Sequence, residues 1–233
     1  MASKPKFFKP LRDFLFQQDS PAPAEVIFVL AGRHERKGYG LQLFRERLAP
    51  RLILSVGRFE VRKIGPLGFA DLKLRDQAAR LPPGHRHFFI DIVGNSRRVT
   101  TRPDAGKGTF AELLSLSRYL QADRPSSLLL VSTNIHLRRI RFCCRRISSF
   151  ADIQLRYVPV PDDLSALRRD GWWKRREQWS YLIVESLKLV GYGIRYGPAK
   201  RTLDRLTSSS LAYRDSIESQ SVKGKDLRRG EGK

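Results

Sequence analysis

The chain has 233 residues, 41% of them hydrophobic, with three Trp and thirteen Phe, enough for one well-cored domain with tails and short for two. Its formal net charge of +22 and its pI near 10.8 imply attraction to polyanions: nucleic acid, anionic lipid or phosphorylated ligands. The two cysteines, Cys143 and Cys144, are adjacent, which excludes a disulfide framework and a cysteine-rich zinc site and suits a reduced, cytoplasmic protein.

Residues 1–20 open the chain as an amphipathic segment. Phe7, Phe8, Leu11, Phe14 and Leu15 fall on one helical face among Lys4, Lys6, Lys9 and Arg12. Two readings stand side by side: a short helix covering the core, or an interfacial anchor to anionic lipid. The segment has no continuous apolar run of the kind a cleaved signal needs. Nowhere does the sequence approach the roughly 20 apolar residues of a membrane span. The expected location is therefore cytoplasmic, with peripheral attachment to a membrane as the variant.

Residues 21–197 alternate apolar runs with amphipathic stretches. Glu25–Ala31 reads as a strand ending at Gly32 and Arg33. Residues 39–48 carry helical spacing. Arg51–Val56 is a second strand, closed by Gly57 and Arg58. Leu67–Leu81 reads as a helix ended by Pro82, Pro83 and Gly84. His87–Val93 is a third strand, and residues 94–107 read as a long, arginine-rich loop. Thr109–Leu120 is an amphipathic helix. The run Leu128–Val131 is a buried strand that passes through Ser132, Thr133 and Asn134 into an arginine-rich helix. Ile153–Val160 is a fifth strand, and Trp172–Tyr196 a long helix. Residues 198–233, rich in Ser, Lys, Arg and Gly, read as a basic, disordered tail. This order of elements predicts an α/β fold: a Rossmann-like, doubly wound, mostly parallel sheet of about five strands with helices on both faces.

Familiar catalytic signatures fail. Gly106-Lys107-Gly108-Thr109 lacks the first glycine of a P-loop, Thr101 standing in its place, and carries Gly108 where Ser or Thr belongs. There is no G-x-S-x-G elbow. The four histidines lack zinc spacing, and His85 and His87, at a strand start, read as surface residues. No metal site and no particular cofactor is specified.

What remains is a set of polar residues at strand ends, which a doubly wound fold would bring to one edge. Gly32 and Arg33 follow the first strand; Ser55, Gly57 and Arg58 end the second. Thr109 and Glu112 begin the helix after the third, and Ser132, Thr133, His136 and Arg139 follow the fourth. Glycines admit a ligand to backbone amides, hydroxyls and helix N-termini receive phosphate oxygens, and arginines neutralise charge. Taken singly, Ser132 or Thr109 would serve as a helix N-cap, with Glu112 completing a capping box on Thr109. Taken together, they predict a site in which Gly32, Arg33, Ser55, Gly57, Arg58, Thr109, Ser132, Thr133 and Arg139 hold a ligand and His136 and Glu112 move protons.

These segments resemble the YdcF/SanA/ElyC-like family. The likeness is carried by Val29-Leu30-Ala31-Gly32-Arg33, by Leu48–Leu54 leading to Ser55-Val56-Gly57, by Gly108–Glu112, by Glu185–Lys188, and above all by Val131-Ser132-Thr133-Asn134-Ile135-His136-Leu137-Arg138-Arg139. It spans roughly residues 20–196. The chain departs from the family pattern in keeping one glycine of each early pair, in exchanging Ser and Thr before the histidine, and in placing Glu112 where the family has Asn, one place beyond the usual acid. The resemblance implies a Rossmann-like fold and a loose association with bacterial cell-envelope metabolism.

Three functions follow as expectations. One is binding of a nucleotide-like or phosphorylated small molecule at the sheet edge, with hydrolysis or phosphoryl transfer as its enzymatic version. Another is a non-enzymatic module for polyanions, ranked lower for nucleic acid because no aromatic-interleaved motif is present. The last is peripheral association with an anionic membrane surface.

Overall fold

The computed structural model describes residues 19–102, 108–165 and 176–196. The amphipathic segment at 6–16, the Gly106-Lys107 pair, the start of the long C-terminal helix and the basic tail lie outside the described residues. The chain divides into a unit over residues 1–190, which holds the whole sheet, and a second over 191–233. In the second, residues 191–196 are helical, with the Tyr192 and Tyr196 rings 5.4 Å apart.

Six strands form one sheet: β1 (Val26–Val29), β2 (Arg51–Val56), β3 (Phe88–Val93), β4 (Ser96–Thr101), β5 (Ser127–Ser132) and β6 (Gln154–Pro159), in the order β4-β3-β2-β1-β5-β6. The pairings β1–β2, β1–β5 and β5–β6 are parallel, whereas β2–β3 and β3–β4 are antiparallel. The architecture is thus mixed α/β with a mostly parallel sheet. This corrects the expected five strands. The segment read as a loop over 94–107 is, from Ser96 to Thr101, an edge strand, reached by a two-residue turn in which Gly94 adopts φ 56°.

The helices are α1 (His34–Arg45), α2 (Leu74–Ala79), α3 (Thr109–Tyr119), α4 (Asn134–Cys144) and α5 (Arg176–Tyr196). α1 starts five residues earlier than its apolar spacing suggested. The long helix expected over 67–81 is broken into two 3₁₀ turns and the short α2, because Gly68 at φ 88° and Lys73 at φ 45° take left-handed backbone that no helix continues through.

Strand alternation divides the core. Ile27, Val29, Leu52, Leu54, Phe88, Ile90, Leu129 and Val131 point to one face, which Tyr39 and Leu43 of α1 and the segment around Phe69 and Leu74 cover. α1 lies close against β1. A Cβ added at Gly40 would stand 2.2 Å from Val29 Cγ2, so only glycine fits that approach. On the other face Phe28 meets Phe89 edge-on, Phe89 meets Tyr119 of α3, and the Arg141 guanidinium of α4 lies over the Tyr157 ring of β6. Cys143 and Cys144 of α4 are buried and free. No described helix is long and apolar enough to cross a membrane.

Candidate functional site

β1 continues through Leu30 and Ala31 into Gly32, whose φ of 137° turns the chain so that α1 can begin after Arg33. β2 ends at Gly57 and a turn over residues 58–60. α3 begins after Gly108, at φ 90°. All three turns lie at the C-terminal edge of the parallel strands and open into one cleft of about 910 Å³. Gly32, Arg33, Gly57 and Arg58 line it, as do Lys63, His87, Gly108 and Lys188. α1 and α3 therefore present their N-terminal ends to the cleft, where free N–H groups and the helix dipoles favour an anion.

A layer of buried charge holds this edge in place. The Arg36 guanidinium donates to the Ala31 carbonyl at 2.7 Å and to Thr133 Oγ1 at 3.0 Å, while the Ala31 N–H donates to Glu112 Oε1 at 2.7 Å. Both polar groups of the Ala31 peptide are thereby fixed by side chains from α1 and α3. Burial pushes the Arg36 pKa down, opposed by Tyr181, Glu112, Glu60 and Glu185. Beside it, Lys37, only 1% exposed, donates its Nζ to Glu60 Oε1, and Glu60 Oε2 accepts the Gly57 N–H at 2.8 Å. Burial lowers the Lys37 pKa and the Glu60 carboxylate opposes that shift.

His136 is enclosed. Its Nδ1 is 2.8 Å from Ser132 Oγ and its Nε2 is 3.0 Å from Thr109 Oγ1. Burial first, then the charges of Arg36, Arg139 and Lys188, hold its pKa well below the ordinary histidine value of 6.5. A neutral imidazole has one N–H and one lone pair, so one hydroxyl accepts from the ring and the other donates to it. Glu185 of α5 meets Arg139 of α4 at 3.3 Å, which ties the two helices, and Lys188 of its own helix at 3.0 Å.

The sequence-derived site residues thus separate into two layers. Gly32, Arg33, Gly57 and Arg58 form cleft wall. Thr109, Glu112, Ser132, Thr133, His136 and Arg139 are largely buried and absent from that wall. Ser55 is buried on the α3 face of β2, opposite Phe89, and does not line the cleft. The capping box is not formed: the N-cap of α3 is Gly108, Thr109 turns to His136, and Glu112 reaches across to Ala31. Thr133, not Ser132, is the N-cap of α4, and its side chain makes no capping bond. His87, read as a surface residue, is half-buried in the cleft wall. Burial and Arg102 push its pKa down.

Arg36, Lys37, Glu60 and Lys63 escaped the sequence reading altogether. Adjacent charges at a helix start look like a solvated face, and the Lys37–Glu60 pairing spans 23 residues with no local pattern to announce it. Among the described residues no group of three or more His, Cys, Asp and Glu side chains is placed to hold a metal ion. Comparison with protein-family models, with curated proteins and with solved structures finds no match to this chain.

Proposed function

We propose that the chain is a Rossmann-like member of the YdcF-like group and that its sheet-edge cleft binds a nucleotide-like or phosphorylated small molecule. One observation carries the reading. Arg33, Arg58, Lys63 and Lys188 line the cleft, whereas the carboxylate on its wall, Glu60, is already engaged by Lys37 and the Gly57 amide. Arg33 is partly offset by Glu35 at 2.9 Å and Lys188 by Glu185 at 3.0 Å, but among the described residues neither Arg58 nor Lys63 has a carboxylate partner. A surplus of cations facing two helix N-termini is the arrangement that a phosphate group satisfies.

His136 and Glu112 act by positioning in this reading. Glu112 orients the Ala31 peptide at the root of the cleft, and His136 locks the Thr109 hydroxyl next to Gly108. A hydrolase or phosphotransferase version would move its proton through a group on the wall, where the histidines are His34 and His87.

Titration calorimetry with pyrophosphate tests the reading in wild type and in an R58A/K63A double variant. Both side chains are on the cleft wall and outside the core, so the variant should melt within a degree or two of wild type while its Kd rises at least roughly tenfold. Equal, salt-sensitive binding of every polyanion, unchanged in the double variant, would move the activity from the cleft to the basic surface.

A further inference from the structure

Phe59 is the exception in the cleft. It is 75% exposed, while Phe28, Phe88 and Phe89 in the neighbouring strands are fully buried. An aromatic ring left in water beside a charged cleft has no role in the core, because burying it is what stabilises a fold. Its surroundings are specific. The Arg58 guanidinium lies over the ring at 4.2 Å from its centroid, and three-quarters of the residue is exposed. The ring borders two hollows at once: the cleft already described and an adjoining one of about 530 Å³ walled by Arg58, Arg62, Pro83 and Arg86.

Resting on the anion-site reading above, we infer that the ligand is a nucleoside di- or triphosphate whose base stacks on Phe59 while its phosphates lie against Gly32, Arg33, Lys63 and Gly108. Aromatic rings bind bases through their faces, and a guanidinium stacked on the same ring extends the platform. The other groups around the ring agree with a base more than with an aliphatic chain. Arg62 and Arg86 line the adjoining hollow with Arg58, Arg86 Nε donating to the Leu81 carbonyl; guanidinium donors suit the ring-nitrogen and carbonyl acceptors of a purine, and a hydrocarbon offers none. The phosphate end falls where the helix N-termini are, and the base end where the backbone offers no free helix terminus but an open ring.

The test compares pyrophosphate, GDP, ADP and geranyl diphosphate by calorimetry in wild type and F59A, a substitution at an exposed turn that leaves the core intact. The expected result is that a nucleoside diphosphate binds wild type roughly tenfold more tightly than pyrophosphate, that F59A abolishes this advantage, and that F59A leaves pyrophosphate affinity unchanged. Pyrophosphate binding as tight as the nucleotides, unaffected by F59A, overturns the base platform and leaves the anion site standing. Geranyl diphosphate binding tightest, with its advantage lost in F59A, assigns the ring to an aliphatic chain and also overturns the base. No binding of any of the four overturns both readings.

Discussion

At the end of the sheet where β1 and β2 begin, charge is balanced within the protein. Arg51 donates Nε to Asp91 Oδ1 at 3.0 Å and Nη2 to Asp91 Oδ2 at 2.8 Å, and its Nη1 reaches Asp123 at 2.7 Å. Tyr119 adds its hydroxyl to Asp91 at 2.8 Å and lends its ring to the Arg51 guanidinium. Each partner answers another, and the effect is to bind β2 to β3 and α3. At the opposite end the buried pairs, Lys37 with Glu60 and Arg36 with the Ala31 carbonyl, are just as closely made, yet in front of them stand Arg58 and Lys63, which have no carboxylate partner among the described residues. On the binding reading proposed above, the two ends separate structural charge from ligand-directed charge. The first kind closes on itself, and the second leaves a remainder facing an opening.

That comparison breaks most visibly at Glu60. Replacing it with Gln leaves the Lys37 ammonium buried and unpaired, which should cost about 3–5 kcal/mol in urea unfolding. Lys37→Met should cost much less, because Glu60 keeps the Gly57 amide and borders the cleft. If the two substitutions cost the same, the pair behaves like an ordinary surface bridge. On the balanced side, Asp91→Asn should lose about 2–3 kcal/mol by removing a doubly engaged acceptor, with pyrophosphate affinity unchanged.

His136 supplies a pH test of intermediate size. The folded chain holds its pKa below 6.5, so on acidification the unfolded chain takes up a proton that the folded chain refuses. Stability should therefore fall as the pH drops below about 6.5, by up to about 1.4 kcal/mol per pH unit. His87 adds to the same trend. H136Q should flatten this slope between pH 6.5 and 5, read from urea midpoints; an unchanged slope would remove His136 as its source. The smallest effect belongs to Asp123, whose side chain is 84% exposed: D123A should stay within about 0.5 kcal/mol of wild type.

The parallel strands were legible because Val26–Val29, Leu52–Leu54 and Leu128–Val131 are continuous apolar runs, as strands covered on both faces require. β4 was not, because Ser96–Thr101 is an edge strand whose arginines face water, so no alternation marks it; Gly94-Asn95 between two strands was the available hairpin signal. At the site, the strand-end glycines Gly32 and Gly57 lie in turns of the cleft wall. The sequence could not separate the cleft wall from the layer behind it, since Glu112, His136 and Ser132 have the chemistry of reacting groups and only the folded chain shows them buried behind the wall. The reverse holds for Arg36 and Lys37, whose burial depends on residues 23 to 97 positions away.

Cys143 and Cys144 sit back to back on α4, the first with its thiol pushed up to about 12 by burial and the second shifted further in the same direction. At neutral pH almost no thiolate exists on either, so reagents that attack thiolates should find the native chain inert and the chain should keep without reductant. Alkylation can proceed only when α4 lifts from the sheet. Its rate then times the excursions of the helix that carries His136 and Arg139, a clock already wound into the fold.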